Sequence, residues 1–320
     1  MQKTSNYLVV VLTLCLLLAI PAGLFAAGSP LPIKIRVTYV KLPLNVPAII
    51  VKHLGLLEKE FESDGITIEW PEITSGGKQT QALAADAIDI ASVISSTAAI
   101  TARANGLDLK IVAVFARVPR AFNVVAIHPT IKSIADLKGK KVAGPKGSLL
   151  NQTLFAALMA NGLSPEDVGY VHMGVPKALA ALIGGSVDAA LIAGPFVPKA
   201  ESQGARILAN GEGLVKGLIV TAVKESFLKK HAGLVKRYLS VQQESITYMK
   251  DHPEESFRIV AQETGLDIKD VKRMYPWYDY DPGIRPSDMQ DLAATQTFLL
   301  ESGMLAKPTD INSLVADMSR

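Results

Sequence analysis

The 320-residue chain carries 33 basic and 30 acidic residues, giving a net charge of +3. No dense Lys/Arg run occurs, which argues against nucleic acid as a partner. Hydrophobic residues make up 49% and charged residues 20%, the balance of a globular protein rather than a disordered one. The length suffices for one large domain or two modest ones.

Residues 1–28 have the order of charge, apolar core and small residues that is typical of a secretory signal peptide. The apolar run LVVVLTLCLLLAI ends at Pro21, and Ala26 and Gly28 can serve the −3 and −1 positions of a cleavage site. A retained membrane anchor is the alternative, because residues 8–27 are nearly long enough to span a bilayer. We expect cleavage and export, with a membrane tether if the segment is not cut.

Strand and helix patterns then alternate along the chain. Apolar, β-branched runs predict strands at 33–40, 66–70, 88–94 and 109–116. Amphipathic or alanine-rich runs between them predict helices at 45–65, 78–87 and 97–106. Such alternation with short connections favours right-handed crossovers and a largely parallel sheet. The sequence therefore predicts an α/β protein.

The same order of elements recurs between residues 141 and 206. ALAADAIDIASVISST (82–97) aligns with ALIGGSVDAALIAGPF (181–196) at an offset of 99 residues, which places Asp89 on Asp188. The repeat predicts two similar lobes, each with a small, mostly parallel sheet. We expect lobe 1 to comprise residues 29–121 and 220–320 and lobe 2 residues 122–219. Two crossing strands, near 122–127 and 218–223, then form the hinge.

Ligands of open parallel sheets bind beyond the carboxyl ends of the strands, near helix N-termini. The serine in GPKGSLLNQ, Ser148, is placed to cap a helix there, and Ser95, Ser96 and Thr97 follow a strand of the first lobe. Unpaired N–H groups at such helix starts attract anions. These hydroxyls could also serve only as caps. The spacing in GPKGS excludes a phosphate-binding P-loop, since no G-K-S/T ending is present.

Four stretches carry a resemblance to a known family. HLGLLEKEFESDGITIEW, SIADLKGKKVAGPKGS, GSVDAALIAGPF and ARILANGEGLV resemble the periplasmic binding proteins for aliphatic sulfonates, taurine and nitrate. The likeness runs from about residue 33 to about residue 303. It implies a type II periplasmic binding protein fold, in which two lobes hold a small anionic organic molecule between them. It also implies an ABC permease and its ATPase at the inner membrane as partners, and a periplasmic location.

The resemblance carries over to specific positions of this chain as ligand-binding candidates. Two departures concern the ligand: Ala193 and Gly194 stand where sulfonate binders commonly place a tryptophan and an aspartate, and KLPLN is bulky and apolar. The matching positions are Leu42, Pro43, Ser95, Ser96, Thr97, Gly147, Ser148, Gly194, Pro195 and Phe196.

Three further features are candidates from the residues themselves. Asn151, in the first turn of the predicted helix, could reach the cleft or bond its own backbone. Arg117 and Arg120 lie where the chain leaves lobe 1, so either could pair with a carboxylate or sulfonate or remain a surface charge. The aromatic loop YPWYDYDPG (275–283) could form a wall over the cleft or part of the core.

Catalytic signatures are missing from the sequence. The five histidines are scattered without metal-ligand spacing, and no H-E-x-x-H, G-x-S-x-G or Walker motif occurs. Cys15 is the only cysteine, so a cleaved chain has no disulfide and no thiolate nucleophile. We therefore predict a monomeric, non-enzymatic binding protein with no cofactor and no metal. An enzyme on the same fold and a sensory binding module are the alternatives.

Overall fold

The computed structural model describes residues 31–42 and 44–318. The predicted signal peptide and Pro43 lie outside the described residues. Within the described residues, no helix is both long and apolar enough to cross a membrane. The strands are β1 (Lys34–Arg36), β2 (Thr67–Glu69), β3 (Ile90–Ser95), β4 (Leu109–Arg117), β5 (Phe122–Ala126), β6 (Lys141–Gly144), β7 (Gly169–His172), β8 (Ala189–Ala193), β9 (Arg206–Asn210) and β10 (Leu218–Lys224).

Helices follow most of the strands and form the C-terminal third. A kink at His231, where φ is −133° and ψ is 38°, interrupts α8. The helices are α1 (Val46–His53), α2 (Leu56–Phe61), α3 (Gly76–Ala84), α4 (Ser96–Ala104), α5 (Leu149–Ala160), α6 (Val175–Ile183), α7 (Phe196–Glu201), α8 (Glu225–Asp251), α9 (Pro253–Thr264), α10 (Ile268–Met274), α11 (Pro286–Glu301) and α12 (Ile311–Leu314).

The strands form two separate groups, as the predicted two-lobed fold requires. One group contains the parallel pair β1–β2 and the sheet β3-β10-β4, linked by a parallel bridge between Val37 and Ile90. The other is a five-stranded sheet in the order β7-β6-β8-β5-β9. Its central strand β8, AALIA, is buried throughout, as expected when helices cover both faces of a sheet.

Each sheet contains one strand that runs against its neighbours. β10 is antiparallel to β3 and β4, and β5 is antiparallel to β8 and β9. These are the first strands after the chain passes from one sheet to the other, so they enter from the opposite end. The strands expected at the hinge thus lie inside the sheets, and the passages between the sheets are residues 118–121 and 211–217. The lobe boundaries themselves remain a prediction.

Asp89 and Asp188 occupy equivalent positions in the two sheets. The Asp89 carboxylate accepts the backbone N–H of Arg36 at 2.8 Å, and the Asp89 N–H donates to the Arg36 carbonyl at 2.9 Å. The Asp188 carboxylate accepts the backbone N–H of Lys141 at 2.8 Å, and the Asp188 N–H donates to the Lys141 carbonyl at 2.9 Å. These hydrogen bonds confirm the alignment of Asp89 with Asp188.

Three local features differ from the sequence prediction. The strand predicted at 33–40 is regular only at Lys34–Arg36. The single helix expected over 45–65 is broken into α1 and α2, because Gly55 adopts a φ of +62°, which glycine tolerates best. The strand β9 was not predicted, because its short run RILAN carries few β-branched residues.

Candidate functional site

A cleft of about 800 Å³ lies where the starts of three helices meet, and we call it the three-helix cleft. Ser95 and Thr97 line it at the start of α4, and Gly147 and Ser148 line it just before α5. Ser75 lines it with the first residues of α3. The cleft thus brings together four of the residues predicted from sequence and adds one helix start that was not predicted.

At α4, two neighbouring hydroxyls organise the helix start. Ser95 Oγ accepts the backbone N–H of Ala98 at 3.2 Å and lies 2.8 Å from Thr97 Oγ1. Ser96, between them, is fully buried, and its Oγ has no hydrogen-bond partner among the described residues. Ser95 is therefore the N-cap of α4, whereas the Ser96 hydroxyl is unpaired among the described residues.

At α5, the glycine and serine of GPKGS fix the geometry. Gly147 has a φ of +72°, and its N–H donates to Asn151 Oδ1 at 3.1 Å. Ser148 Oγ accepts the N–H of Asn151 at 3.3 Å and donates to the Pro145 carbonyl at 2.7 Å. The stretch is a capped helix start, as the sequence indicates.

The third helix start, Ser75-Gly76-Gly77, escaped the sequence reasoning. A β-carbon at Gly76 would lie 3.0 Å from Ala98 Cβ, so glycine here lets α3 approach the start of α4 closely. A β-carbon at Gly77 would have only Ser75 Oγ within 4 Å, at 3.9 Å, so there is room for a side chain at this position. The available signal was a serine followed by two glycines directly before a helical pattern, the same logic that identified Ser148.

The electrostatics of the cleft favour a negatively charged ligand. Helix N-termini present unpaired N–H groups and a partial positive charge, and residues of three of them line this volume. The C-terminal ends of α3, at Ala84, and of α4, at Asn105, line it as well and carry the opposite partial charge. Lys146 adds a cation to the lining. Among the described residues that line the cleft, none is Asp or Glu. An anion entering the cleft therefore meets no opposing carboxylate from its walls.

Other predicted site residues lie elsewhere. Leu42 is 39% exposed in the turn after β1, and Pro43 lies outside the described residues. Asn151 is buried and lines a separate cavity of about 1020 Å³. Gly194, Pro195 and Phe196 form the turn from β8 into α7, with Gly194 at a φ of +55°. None of these lines the three-helix cleft.

The two candidate arginines have different surroundings. Arg120 is about half exposed and lines a separate cavity of about 240 Å³, together with Asn123, Arg273 and Trp277. Arg117 is 4% exposed and pairs with the protein's own Asp288. Burial disfavours the ionised form of Asp288, but hydrogen bonds from Arg117 and from the Arg285 N–H outweigh that effect, so the pKa of this carboxyl lies below its usual value.

The aromatic loop is largely core. Trp277, Tyr278 and Tyr280 are buried, and the last two rings stack with centroids 5.5 Å apart. The Tyr280 hydroxyl donates to the Leu44 carbonyl at 2.6 Å, which ties this loop to the turn after β1. Burial raises the pKa of Tyr278 well above its usual value, and its hydroxyl has no partner among the described residues.

Comparison with known proteins decides the family. The NMT1/THI5-like family matches residues 59–256, more than half of the chain. The chain belongs to this family. A Bacillus subtilis (strain 168) protein, provisionally named an aliphatic sulfonates-binding protein, is 31% identical over 231 residues, covering 71% of this chain and 69% of that relative.

Solved structures agree with this assignment. The periplasmic aliphatic sulphonate binding protein SsuA from Escherichia coli is 26% identical, with a TM-score of 0.81 over 89% of this chain and 92% of its own. The alkanesulfonate-binding protein SsuA from Xanthomonas axonopodis pv. citri, bound to MOPS, is 25% identical, with a TM-score of 0.80 over 89% and 98%. The predicted type II fold and the resemblance are confirmed: this NMT1/THI5-like protein is a solute-binding component of an ABC importer.

Proposed function

We propose that this NMT1/THI5-like protein binds a small organic anion of the sulfonate class in the three-helix cleft. The main observation behind this proposal is that the starts of α3, α4 and α5 line one cleft, whose described lining includes Lys146 and no carboxylate. The names of its relatives, which include aliphatic sulfonate and taurine binders, support the same ligand class. The liganding groups are Ser75, Gly77, Ser95, Thr97, Gly147 and Ser148.

Ser96 does not line the cleft, but it stays a candidate because it lies between Ser95 and Thr97 and its fully buried hydroxyl has no partner among the described residues. A buried polar group without a partner costs free energy, which a ligand oxygen at this position would recover. The remaining predicted residues, Leu42, Pro43, Asn151, Arg120 and Gly194 with its two successors, stay predictions of the motif resemblance.

A binding role without catalysis fits the lining of the cleft. Its hydroxyls come from Ser75, Thr80, Ser95, Thr97, Thr101 and Ser148, and among the described lining residues there is no His, Asp, Glu or Cys to activate one of them. The delivery partner in this proposal is an ABC permease with its ATPase. The site of action is the periplasm, to which residues 1–28 direct the chain before they are cleaved. The working unit is a monomer.

A thermal-shift panel tests the proposal. Purified protein is heated with methanesulfonate, taurine, nitrate, acetate and phosphate, and each mixture is then analysed by NMR for product. A ligand that binds only the folded state raises the melting temperature by mass action. We expect sulfonates to give the largest shift with no product. Turnover of the stabilising compound, or no shift with any sulfonate, contradicts the proposal.

A further inference from the structure

The side-chain amide of Gln79, in α3, joins the segments that lead into two of the helix starts of the three-helix cleft. Gln79 is fully buried, and its Nε2 donates to the Ile73 carbonyl at 2.8 Å and to the Val93 carbonyl at 3.0 Å. Ile73 lies two residues before Ser75, the N-cap residue of α3. Val93 lies two residues before Ser95, the N-cap residue of α4. One amide nitrogen therefore ties the approach to α3 to the approach to α4.

The oxygen of the same amide is anchored in the core. Gln79 Oε1 accepts a hydrogen bond from Thr38 Oγ1 at 2.9 Å, and Thr38 is fully buried in the segment after β1. Thr38 Oγ1 in turn accepts the N–H of Ser92 in β3 at 2.9 Å, and the Ser92 hydroxyl donates to the Thr38 carbonyl at 2.5 Å. The amide thus uses both of its N–H groups and its oxygen inside the protein, as burial of an amide requires.

The start of α3 has no cap of its own. Ser95 caps α4 and Ser148 caps α5 through their hydroxyls, whereas no side chain caps α3 among the described residues. The starts of α3 and α4 also lie in contact, because a β-carbon on Gly76 would be 3.0 Å from Ala98 Cβ. The first N–H groups of a helix have no intrahelical partner, so those of α3 are available to a ligand. Their position in the cleft depends on how α3 is held against α4.

We propose that Gln79 is a positioning residue of the three-helix cleft, which holds the start of α3 at the distance from α4 at which both bind one small anion. Gln79 does not line the cleft, whereas Gly77 and Thr80 of the same helix do. Binding groups have to be held to within about 0.5 Å of their working geometry, and buried hydrogen bonds from residues behind the site supply that precision. This role rests on the function proposed for the cleft.

Gln79→Met tests the role, because methionine is similar in size to glutamine and makes none of these hydrogen bonds. The matched control is Gln152→Met. Gln152 is also buried and is also the fourth residue of its helix, α5, but its Nε2 donates to Thr295 of α11, and neither residue lines the cleft. In calorimetric titrations we expect methanesulfonate to bind Gln79→Met at least about tenfold more weakly than the wild type, and Gln152→Met within about twofold of it.

Hydrogen exchange of the ligand-free protein provides a second measurement, which requires no ligand. We expect the backbone amides of residues 79–84 to exchange faster in Gln79→Met than in the wild type, while those of α5 and α11 keep their rates. In Gln152→Met the amides of residues 79–84 should exchange as in the wild type. A loss of stability without a positioning role would instead raise exchange throughout the chain.

Thr38→Val is a milder second variant, because it removes only one of the three hydrogen bonds of the Gln79 amide. Thr38→Ser is its control, since serine keeps the hydroxyl. We expect Thr38→Val to bind methanesulfonate about threefold more weakly than the wild type, the effect of one hydrogen bond. Thr38→Ser should restore the wild-type affinity.

Wild-type affinity for methanesulfonate in Gln79→Met overturns the positioning role, and so does equal weakening in Gln79→Met and Gln152→Met. If the wild type binds no methanesulfonate at all, the function proposed for the cleft fails. The exchange rates of residues 79–84 in Gln79→Met then still decide whether Gln79 holds the start of α3.

Discussion

Arg117 and Asp288 form a buried, bidentate ion pair beside residues 118–121, the first passage between the sheets. Arg117 Nε and Nη2 donate to Asp288 Oδ1 and Oδ2 at 2.9 and 2.5 Å, and the two side chains are 5% and 1% exposed. Lys216, in the return passage, reaches the same carboxylate at 3.2 Å. One carboxylate therefore ties together the chain at both passages.

Asp288→Asn is expected to lower the free energy of unfolding by about 3–5 kcal/mol, because it removes the buried carboxylate that accepts two hydrogen bonds from Arg117 and leaves only the exposed Asp279 near the guanidinium. The matched control is Asp279→Asn. Asp279 is 44% exposed and lies 3.5 Å from Arg117, so its loss should cost less than about 1 kcal/mol. Urea denaturation measures both, and equal effects would show that Asp288 is not the anchor.

The pH dependence of this pair has a defined sign. Because the folded-state pKa of Asp288 lies below its ordinary value of 3.8, the stability it contributes is present above that value and is lost as the pH falls through the lower, folded value. The gap in stability between wild type and Asp288→Asn should therefore narrow only on acidification below about pH 4. A gap that closes near neutral pH would contradict this reasoning.

Asp291, one turn further along α11, behaves in the opposite way. Its Oδ1 accepts the Lys216 N–H at 2.9 Å, whereas its buried Oδ2 has no partner among the described residues, and burial raises its pKa. The carboxyl thus contributes most stability at acid pH, and that contribution is lost as the pH rises through the raised value. We expect Asp291→Asn to be more stable than the wild type at pH 7, with no gain below pH 4. A destabilised variant at pH 7 would refute this.

Two buried glutamines provide a matched pair for the cost of unpaired amides. Gln242 is 3% exposed, and neither of its amide atoms has a partner among the described residues. Gln152 is 4% exposed and donates to Thr295 Oγ1 at 3.0 Å. Gln242→Met should keep or raise the melting temperature. Gln152→Met should lower the free energy of unfolding by about 1–3 kcal/mol, because it leaves the Thr295 hydroxyl without its hydrogen-bond partner. Similar losses in both variants would contradict the assignment.

The sequence predicted what depends on local chemistry. Ser148 and Ser95 cap their helices as the pattern of a hydroxyl before an apolar run indicates, because a cap involves residues only three apart. The repeat aligned Asp89 with Asp188 because each lies just before a strand and makes the same hydrogen bonds to the neighbouring strand. The starts of α4 and α5, two of the three helix starts that line the cleft, could therefore be predicted from the sequence.

Long-range partners were not predictable in this way. Arg117 pairs with Asp288 across 171 positions, and Gln152 pairs with Thr295 across 143. Nothing in the sequence around Arg117 distinguishes a ligand-binding arginine from one that is neutralised within the fold. The α3 start escaped because Ser75-Gly76-Gly77 is also typical of a plain turn, and only the close approach of Gly76 to Ala98 shows why glycine is needed.

Calorimetric titration of methanesulfonate against wild type, Gly77→Asn and Gly77→Asp tests the anion cleft most directly. Gly77 lines the cleft, has room for a side chain, and lies in the first turn of α3, where an aspartate stabilises the helix. The two variants match in size and differ in charge. Wild type and Gly77→Asn should bind, and Gly77→Asp should bind at least about tenfold more weakly through repulsion of the anion. Equal affinity in the Asn and Asp variants would contradict an anion site in this cleft.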